Sequence, residues 1–269
     1  MLLVATMDKC PFPRKPPRLG GSNVSRQTLG DAGPMNLVIL FESDFVAADR
    51  VRLDGRRLRH VREVHHARPG NSLRVGLLNG RLGEGEITRL GDEALEMTVR
   101  LDQPPPQPLP VTLVLALPRP KSLKKVLQAV TALGAKRIVL FNTWRVEKSF
   151  WESPVLRPAA LEEQMILGLE QACDTVVPRI TLRNRFKPFV EDELPELIRN
   201  TRALVAHPSA ATPCPHALRE PVTLAVGPEG GFIPYEMEKL QGAGFEAISL
   251  GERRLRVEHA VPALLGRLF

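Results

Sequence analysis

The sequence has few of the residues that build disulfide frameworks and metal sites. Its three cysteines, Cys10, Cys173 and Cys214, lie far apart, form no C-x-x-C pair and are odd in number. Disulfide frameworks and structural zinc sites need paired cysteines at closer spacing. His60, His65 and His66 have no carboxylate or thiol that completes a metal site at ligand spacing. We therefore expect reduced thiols and no bound metal.

Long hydrophobic runs are also missing. No stretch reaches the roughly 18 consecutive apolar residues of a membrane-spanning helix. The apolar start of the chain is interrupted by Asp8 and Lys9 before it reaches the length of a signal-peptide core. We therefore expect a cytoplasmic protein that does not bind a membrane. An apolar content of 43% predicts a globular chain with a hydrophobic core.

The net charge of +7 favours polyanionic partners through counterion release. Part of that charge is local. Residues 1–34 carry five basic side chains against Asp8 and Asp31 and supply +3 of the total. The remaining +4 is common among proteins, so charge alone does not identify a nucleic-acid-binding protein.

The chain divides by composition into four segments. Residues 1–34 are rich in Pro, Gly, Ser and Arg without helical or strand periodicity, which predicts a flexible leader. Short apolar runs alternate with turn residues across 35–103, and Asn79-Gly80 between two runs is a hairpin signal. This pattern predicts a small β-barrel-like domain. The proline-rich residues 104–110 predict a stiff linker, which leaves 111–269 as a second domain.

Strand and helix patterns alternate in the second domain. Strands are predicted near Val111, Arg137, Ala203, Val222 and Ala247, and helices over 122–133, 159–172 and 234–242. Ser122 is expected to cap the first helix and Gly134 to end it. This alternation favours an α/β fold with a mostly parallel sheet. Ligand sites in such folds lie beyond the carboxyl ends of the strands.

Two glycine-containing segments follow predicted strands at such ends. Gly227-Pro-Glu-Gly-Gly231 follows Val222–Val226 directly, and residues 251–256 follow the last predicted strand. Glycine lets a ligand approach the peptide groups, although an isolated glycine loop is more often a plain turn. The chain has no Walker A motif and no complete G-x-G-x-x-G, which disfavours nucleoside triphosphates and NAD.

The motifs of the second domain, taken in order, resemble a known family. Val226-Gly-Pro-Glu-Gly-Gly-Phe232, Gly244-Phe245, Ser249-Leu-Gly251, Leu255-Arg256 and Glu258 are similar to the signature of the ribosomal small subunit methyltransferase E family. These SPOUT-class enzymes methylate N3 of a uridine in 16S rRNA. Ala132-Leu-Gly-Ala135, Glu170-Gln171 with Val177-Pro178, and His60 with Pro69-Gly70 extend the resemblance over residues 35–269.

The resemblance implies a fold, a reaction and a set of site residues. It implies a PUA-like barrel that helps hold RNA, an α/β domain with a trefoil knot, a homodimer, S-adenosylmethionine as cofactor and 16S rRNA of the 30S subunit as partner. The implied cofactor contacts are Ala206, His207, Gly227, Glu229, Gly230, Gly231, Leu250, Gly251, Arg254, Leu255 and Arg256. Arg256 could also stabilise charge on the uracil. Glu258 could accept a proton or form a structural salt bridge with Arg254 or Arg256.

The sequence departs from the family pattern at two places expected near the active site. Arg-Val-Glu-His-Ala at 256–260 replaces Arg-Thr-Glu-Thr-Ala, and Ala-Cys-Asp at 172–174 replaces Ser-Gly-Arg. Two alternatives therefore stay open. The chain could be a catalytically idle SPOUT-fold RNA-binding or ribosome-assembly factor, or a SPOUT methyltransferase that acts on another RNA.

Arginines and tryptophans supply further candidates for RNA contacts. A basic run in the first domain comprises Arg52, Arg56, Arg57, Arg59 and Arg62. Such a run suits phosphate contacts, although charge runs are also common on solvated faces. Trp144 and Trp151 flank Arg145 and could stack on a splayed base or be buried at an interface.

Overall fold

Two six-stranded sheets build the structure. The computed structural model describes residues 37–63 and 66–269. The predicted leader, residues 1–34, lies outside these described residues, as does Cys10. The described chain forms one compact unit, so the two sheets can be placed relative to each other.

The first sheet lies within the predicted N-terminal domain. Its strands are β1 (Val38–Leu40), β2 (Phe45–Ala47), β3 (Arg50–Leu53), β4 (Ser72–Leu77), β5 (Leu82–Leu90) and β6 (Leu95–Gln103), with helix α1 (Gly55–Glu63) between β3 and β4. The strand order is β1-β4-β5-β6-β3-β2, and only the β1–β4 pair among these pairings is parallel. The sheet ends at β1 and β2 in this order, and the closed PUA-like barrel stays a prediction.

The Asn79-Gly80 hairpin is confirmed. Strands β4 and β5 pair antiparallel on either side of it, and Asn79 adopts a φ of 59°, which asparagine tolerates better than most residues. Alternate residues of these strands, including Leu73, Val75 and Ile87, are buried in one hydrophobic cluster. This period-2 burial is what the alternating sequence predicts for a sheet with one covered face.

The second sheet confirms the α/β fold. Its strands are β7 (Leu109–Ala116), β8 (Ala135–Phe141), β9 (Arg179–Arg183), β10 (Arg202–Ala206), β11 (Val222–Val226) and β12 (Glu246–Ile248), in the order β12-β10-β11-β7-β8-β9. Every pair is parallel. The helices are α2 (Pro120–Ala132), α3 (Lys148–Trp151), α4 (Pro158–Ala172), α5 (Phe186–Pro188), α6 (Leu194–Ile198), α7 (Pro234–Gly242) and α8 (Val257–Leu268). A π-helical turn, Phe189–Glu193, joins α5 to α6. The trefoil knot stays a prediction.

Helix α2 buries four of the five apolar positions at helical spacing, with Leu133 39% exposed, and it does not begin where predicted. Leu123, Val126, Leu127 and Val130 are fully buried, as their spacing requires. The helix begins at Pro120, because proline fits the first helical position. The prediction that Ser122 caps this helix was therefore wrong. Gly134 follows the helix with a φ of 90°, as expected for a residue that ends one.

The two sheets meet in a packed junction as well as through the proline-rich connection between β6 and β7. Leu37, Ile39 and Leu82 share a buried cluster with Leu169 of α4. The Thr175 hydroxyl donates to the Gly80 carbonyl at 2.5 Å, and the backbone N–H of Asn79 donates to the Thr175 carbonyl at 2.8 Å. The β4–β5 hairpin is therefore held directly against the segment that follows α4.

Within the described residues, no helix is long and apolar enough to cross a membrane. The same residues contain no group of three or more His, Cys, Asp or Glu side chains that could hold a metal ion.

Candidate functional site

A cavity of about 290 Å³ lies at the carboxyl ends of three adjacent strands, β10, β11 and β12. Parallel sheets place ligand sites at this edge, because the loops that leave neighbouring strands converge there. The cavity is lined by residues 206–209, 226–232, 248–251 and 253–255, by Val257, Ala260 and Leu264 of α8, and by Arg145. Its wall therefore comes from four loops and one helix.

The lining combines apolar side chains with polar groups. Val226, Ile248 and Val257 are buried, whereas Arg253 and Arg254 are exposed. Such a cavity suits a ligand that has an apolar or aromatic part and polar edges. Arg145, Arg253 and Arg254 outnumber the single lining carboxylate, Glu229, so the lining is positively charged.

Two glycines of the lining adopt backbone conformations that other residues rarely adopt. The φ of Gly231 is 72° and that of Gly251 is 109°. A β-carbon at either position would meet no atom within 4 Å and would project into open space. These segments consequently expose their backbone to whatever occupies the space beside them.

Carboxylates hold the loop after β11 in place. Glu229 accepts a hydrogen bond from the backbone N–H of Arg119 at the start of α2, at 3.0 Å. Glu236, only 2% exposed, accepts from the backbone N–H of Ile233 at 3.0 Å and from that of Trp144 at 2.6 Å. The loop is thereby tied to the segments that follow β7 and β8, and its conformation does not depend on its own residues alone.

Arg145 is a lining residue that the sequence interpretation did not assign to the site. It lies just beyond the end of β8, and its guanidinium donates a hydrogen bond to the Gly230 carbonyl. A β-carbon at Gly230 would lie 3.0 Å from the Arg145 side chain, so the two residues are in close contact. The rule that sites follow strand ends could have selected this residue. Its contact with Gly230 depends on the tertiary fold.

The predicted cofactor residues, with one exception, line this cavity. The residues that line it are Ala206, His207, Gly227, Glu229, Gly230, Gly231, Leu250, Gly251, Arg254 and Leu255. The exception is Arg256, which is exposed and immediately precedes α8, where its carbonyl accepts from the N–H groups of His259 and Ala260. The structure thus brings together three segments that are distant in sequence, and leaves Arg256 at their edge.

Glu258 lies on the first turn of α8 and faces α2 rather than the cavity. Its carboxylate accepts from the Ser122 hydroxyl at 3.0 Å and lies 3.9 Å from the Lys125 ammonium group. The pKa of this carboxyl is lowered below its ordinary value, chiefly by a hydrogen bond from its own backbone N–H. The hydrogen bond from Ser122 and the positive charge of Lys125 lower it further. The expected salt bridge with Arg254 or Arg256 was wrong, since the partners belong to α2.

The departure at 172–174 lies at the junction of the sheets and outside the cavity lining. The Asp174 carboxylate is buried, pairs with the Lys136 ammonium group at 2.5 Å and accepts from the N–H groups of Thr175 and Val176. Cys173 packs against the cluster that joins the sheets. In this chain the segment therefore orders the connection after α4, and the expectation that it lies near the site is not met within the subunit.

The basic run of the first domain comprises one half-buried arginine, Arg57, and four exposed ones, two of which pair with carboxylates. The Arg57 guanidinium forms a two-pronged pair with the Asp44 carboxylate and donates to the Ile39 carbonyl. The Arg56 guanidinium pairs with the Glu170 carboxylate at 2.8 Å across the junction, and the Arg62 guanidinium lies 3.0 Å from the Asp92 carboxylate. Arg52 and Arg59 are exposed. Arg57 is thus committed to the fold, which is a correction to its predicted phosphate contact.

The chain matches known proteins over most of its length. Residues 105–268 match the model of the family described as an RNA methyltransferase domain. A ribosomal RNA small subunit methyltransferase E from Treponema pallidum is 29% identical over 238 residues, which cover 84% of this chain and 88% of that protein. A protein of the same name from Mycobacterium bovis is 30% identical over 230 residues, covering 80% and 84% of the two chains.

Solved structures share the fold. A ribosomal RNA small subunit methyltransferase E from Neisseria gonorrhoeae, bound to S-adenosyl methionine, superposes with a TM-score of 0.67 at 22% identity and covers 86% of this chain and 95% of its own. A methyltransferase from Legionella pneumophila in complex with the same cofactor gives a TM-score of 0.66 at 21% identity with the same coverage. From the family match and the 30% identical relative, we conclude that this chain belongs to the RNA methyltransferase family, among the ribosomal RNA small subunit methyltransferases E.

Proposed function

We propose that this protein transfers a methyl group from S-adenosylmethionine to N3 of a uridine in 16S rRNA of the small ribosomal subunit. The observation that carries the proposal is the cavity that four loops and one helix form in a chain of this family. The relatives are named for small-subunit rRNA, and two structures that share the fold hold S-adenosylmethionine.

The lining fits the chemistry of that cofactor. Buried Val226, Ile248 and Val257 offer an apolar surface for an adenine ring, and the glycine segments offer backbone donors and acceptors for its polar edges. Gly251 leaves open space where a β-carbon would otherwise stand. The cofactor supplies a methyl group that its sulfonium has already activated. The protein therefore has to bind the cofactor, orient the nucleotide toward the methyl group and exclude water.

Positive charge around the cavity suits the nucleotide. N3 of uracil attacks a methyl group well only after it has lost its proton, which places negative charge on the neighbouring carbonyl oxygens. Arg145, Arg253 and Arg254 line the cavity, and Arg256 lies at its edge, so guanidinium groups can stabilise that charge. We assign this role first to Arg256, as the family resemblance implies.

The contacts of Glu258 favour a structural role over proton transfer. A lowered pKa makes its carboxylate a weaker base than a free glutamate, and both Ser122 and Lys125 already occupy it. We propose that Glu258 fixes the start of α8, which carries three lining residues. Arg256 directly precedes that start, so Glu258 would affect the site by holding Arg256 and the lining residues of α8 in position.

The proposal includes a division of labour between domains. Residues 35–103 would form a PUA-like RNA-binding domain and 111–269 a knotted SPOUT methyltransferase domain, with 1–34 as a flexible leader. The linker, 104–110, would connect the two domains, although its last two residues already belong to β7. We further propose a cytoplasmic homodimer with the cavity near the subunit interface. The exposed apolar side chains of Leu250 and Leu255 at the lining support such an interface.

A methyl-transfer assay tests the function. The full-length protein is incubated with methyl-labelled S-adenosylmethionine and 30S subunits from a strain that lacks the enzyme, and the modified nucleotide is identified by mass spectrometry. We expect one 3-methyluridine per 16S rRNA. Tight cofactor binding without transfer would instead indicate a catalytically idle assembly factor. Transfer to another RNA, or to another atom of the base, would refute the proposed substrate.

An Arg256→Ala variant tests the catalytic assignment in the same assay. We expect transfer to fall by tenfold or more while RNA and cofactor affinities stay close to those of the parent, because the charge arises only in the transition state (about 1.4 kcal/mol per tenfold change). Equal losses of transfer and cofactor affinity would give Arg256 a binding role.

A further inference from the structure

A tight turn beside the cavity presents a tryptophan to solvent. The backbone N–H of Val146 donates to the Thr143 carbonyl at 3.1 Å, which places Trp144 and Arg145 at the two central positions of a β-turn. Trp144 is 80% exposed. Trp151 is half-buried by contrast, and its indole N–H donates to the Asn142 side chain at 2.8 Å. The two tryptophans therefore lie in different environments.

The turn is fixed on both sides although its tip is exposed. The backbone N–H of Trp144 donates to the buried Glu236 carboxylate at 2.6 Å, and the same carboxylate caps the start of α7. The neighbouring Arg145 guanidinium is hydrogen-bonded to the Gly230 carbonyl in the cavity wall. An aromatic ring on such a support loses little backbone freedom when it binds a ligand.

We propose that Trp144 is a substrate-binding residue on which a base of the RNA stacks next to the methyl-transfer cavity. This inference rests on the proposed function, since it names the part of the RNA that the site takes. An indole offers a flat face to any base, and Arg145 beside it can contact the base plane or the phosphate. The positive lining formed by Arg145, Arg253 and Arg254 favours a nucleic acid over an apolar protein surface as the occupant.

A binding experiment with the full chain tests the role of the ring. The probe is a six-nucleotide oligouridylate, compared with an abasic ribose-phosphate chain of equal length that offers the same charge without bases. The variants are Trp144→Ala, Trp144→Phe and, as the matched control, Trp151→Phe. Cofactor affinity by calorimetry and oligomeric state by sedimentation are measured for every variant.

We expect Trp144→Ala to weaken oligouridylate binding at least about fivefold, which is the lower end of the loss when one base–aromatic stack is removed. Trp144→Phe keeps an aromatic face and should stay within about threefold of the parent. Binding of the abasic chain and of S-adenosylmethionine should not change. In the Trp151→Phe protein, where Trp144 is the remaining tryptophan, oligouridylate should quench the fluorescence.

Two other outcomes would overturn the proposal. Equal oligouridylate affinity of the parent and Trp144→Ala would show that no base stacks on Trp144. A dimer that becomes a monomer in Trp144→Ala, without a specific loss for bases, would place the ring at a subunit interface. If Trp144→Ala fails to fold, the quenching experiment on Trp151→Phe still decides, since unchanged fluorescence would mean that no base stacks on Trp144. Failure of the parent to bind S-adenosylmethionine or to methylate 30S subunits would refute the proposed function, and oligouridylate binding would still report on the ring.

Discussion

Gly251 shows how a single residue controls the shape of the cavity. Its φ of 109° lies in a region that costs an ordinary residue about 1–3 kcal/mol, and its missing side chain leaves open space in the lining. We expect Gly251→Ala to lower S-adenosylmethionine affinity at least tenfold by calorimetry, since the backbone must either strain or move. Gly242→Ala is the control, because Gly242 has an unstrained φ and lies outside the lining. Unchanged affinity in Gly251→Ala would mean that this segment does not shape the pocket.

Glu258 links the stability of the protein to pH. Its pKa in the folded state lies below the ordinary value of 4.5, so the ionised carboxylate stabilises the fold above that pH, and this contribution is lost as the pH falls through the lowered pKa. We expect Glu258→Gln to melt a few degrees below the parent at pH 7. The difference should shrink as the pH falls below about 4.5.

The exposed Glu252 provides the comparison for Glu258. Glu252→Gln should leave the melting temperature at pH 7 nearly unchanged, because surface substitutions away from a packed partner have small effects. A difference between Glu258→Gln and the parent that stays constant from pH 7 to pH 3 would contradict the linkage.

Local patterns were enough to predict the glycine segments of the site but not their partners. Gly227–Gly231 and Gly251 follow strand ends, and that position can be recognised in the sequence. The Ser122–Glu258 and Arg145–Gly230 contacts join residues from distant parts of the chain. Such contacts exist only once α8 has packed on α2 and the loop after β11 has reached the turn after β8. For this reason Ser122 was interpreted as a helix cap.

At the scale of elements, the missed parts are those with few buried residues. Helix α1 was not predicted because it buries two residues, Leu58 and Val61, among several arginines, which is too few to show a helical period. Strands β2 and β3 are short, and their pairing partners set their conformation more than their own sequences do. The strands β7, β8, β10 and β11 could be predicted because both of their faces are covered, which demands a continuous apolar run.

The junction between the sheets holds the β4–β5 hairpin against the segment after α4, and a substitution at Gly76 tests whether this contact positions the two domains. A β-carbon at Gly76 would lie 2.5 Å from the Thr175 methyl group, so Gly76→Ala should force the hairpin away from the segment after α4. We expect a loss of about 1–3 kcal/mol in the free energy of unfolding, measured in urea. Methyl transfer to 30S subunits should fall more than cofactor affinity, because RNA held by one domain would be misaligned with the other.

Gly91→Ala is the matched control for the junction. Its added β-carbon would make an ordinary contact of 3.6 Å in the turn between β5 and β6, and its effect should stay within about 0.5 kcal/mol. If Gly76→Ala is as stable as Gly91→Ala, the junction yields without cost and does not position the domains.

At the scale of the whole molecule, the exposed arginines of the first domain carry the proposed RNA contacts. Replacing Arg52 and Arg59 together with Ala should weaken binding to 30S subunits and reduce the salt slope by about 1 for each phosphate that is no longer neutralised. Cofactor affinity should not change. Arg57→Ala should differ in kind by lowering the melting temperature, since it breaks a half-buried ion pair. A parental salt slope in the double variant would place the RNA elsewhere.

The strand order of the second sheet has a kinetic consequence. Strand β11 lies between β10 and β7, and Val222 pairs with Val111, so the centre of the sheet joins segments that are distant along the chain. Such high contact order slows folding, because the entropy cost of closing a long loop arises before the stabilising contacts between its ends have formed. The pocket loops leave the ends of these paired strands, so we expect the pocket to form after the rate-limiting barrier. In stopped-flow experiments, S-adenosylmethionine should leave the refolding rate unchanged and slow unfolding, whereas faster refolding would mean that the pocket forms before the barrier.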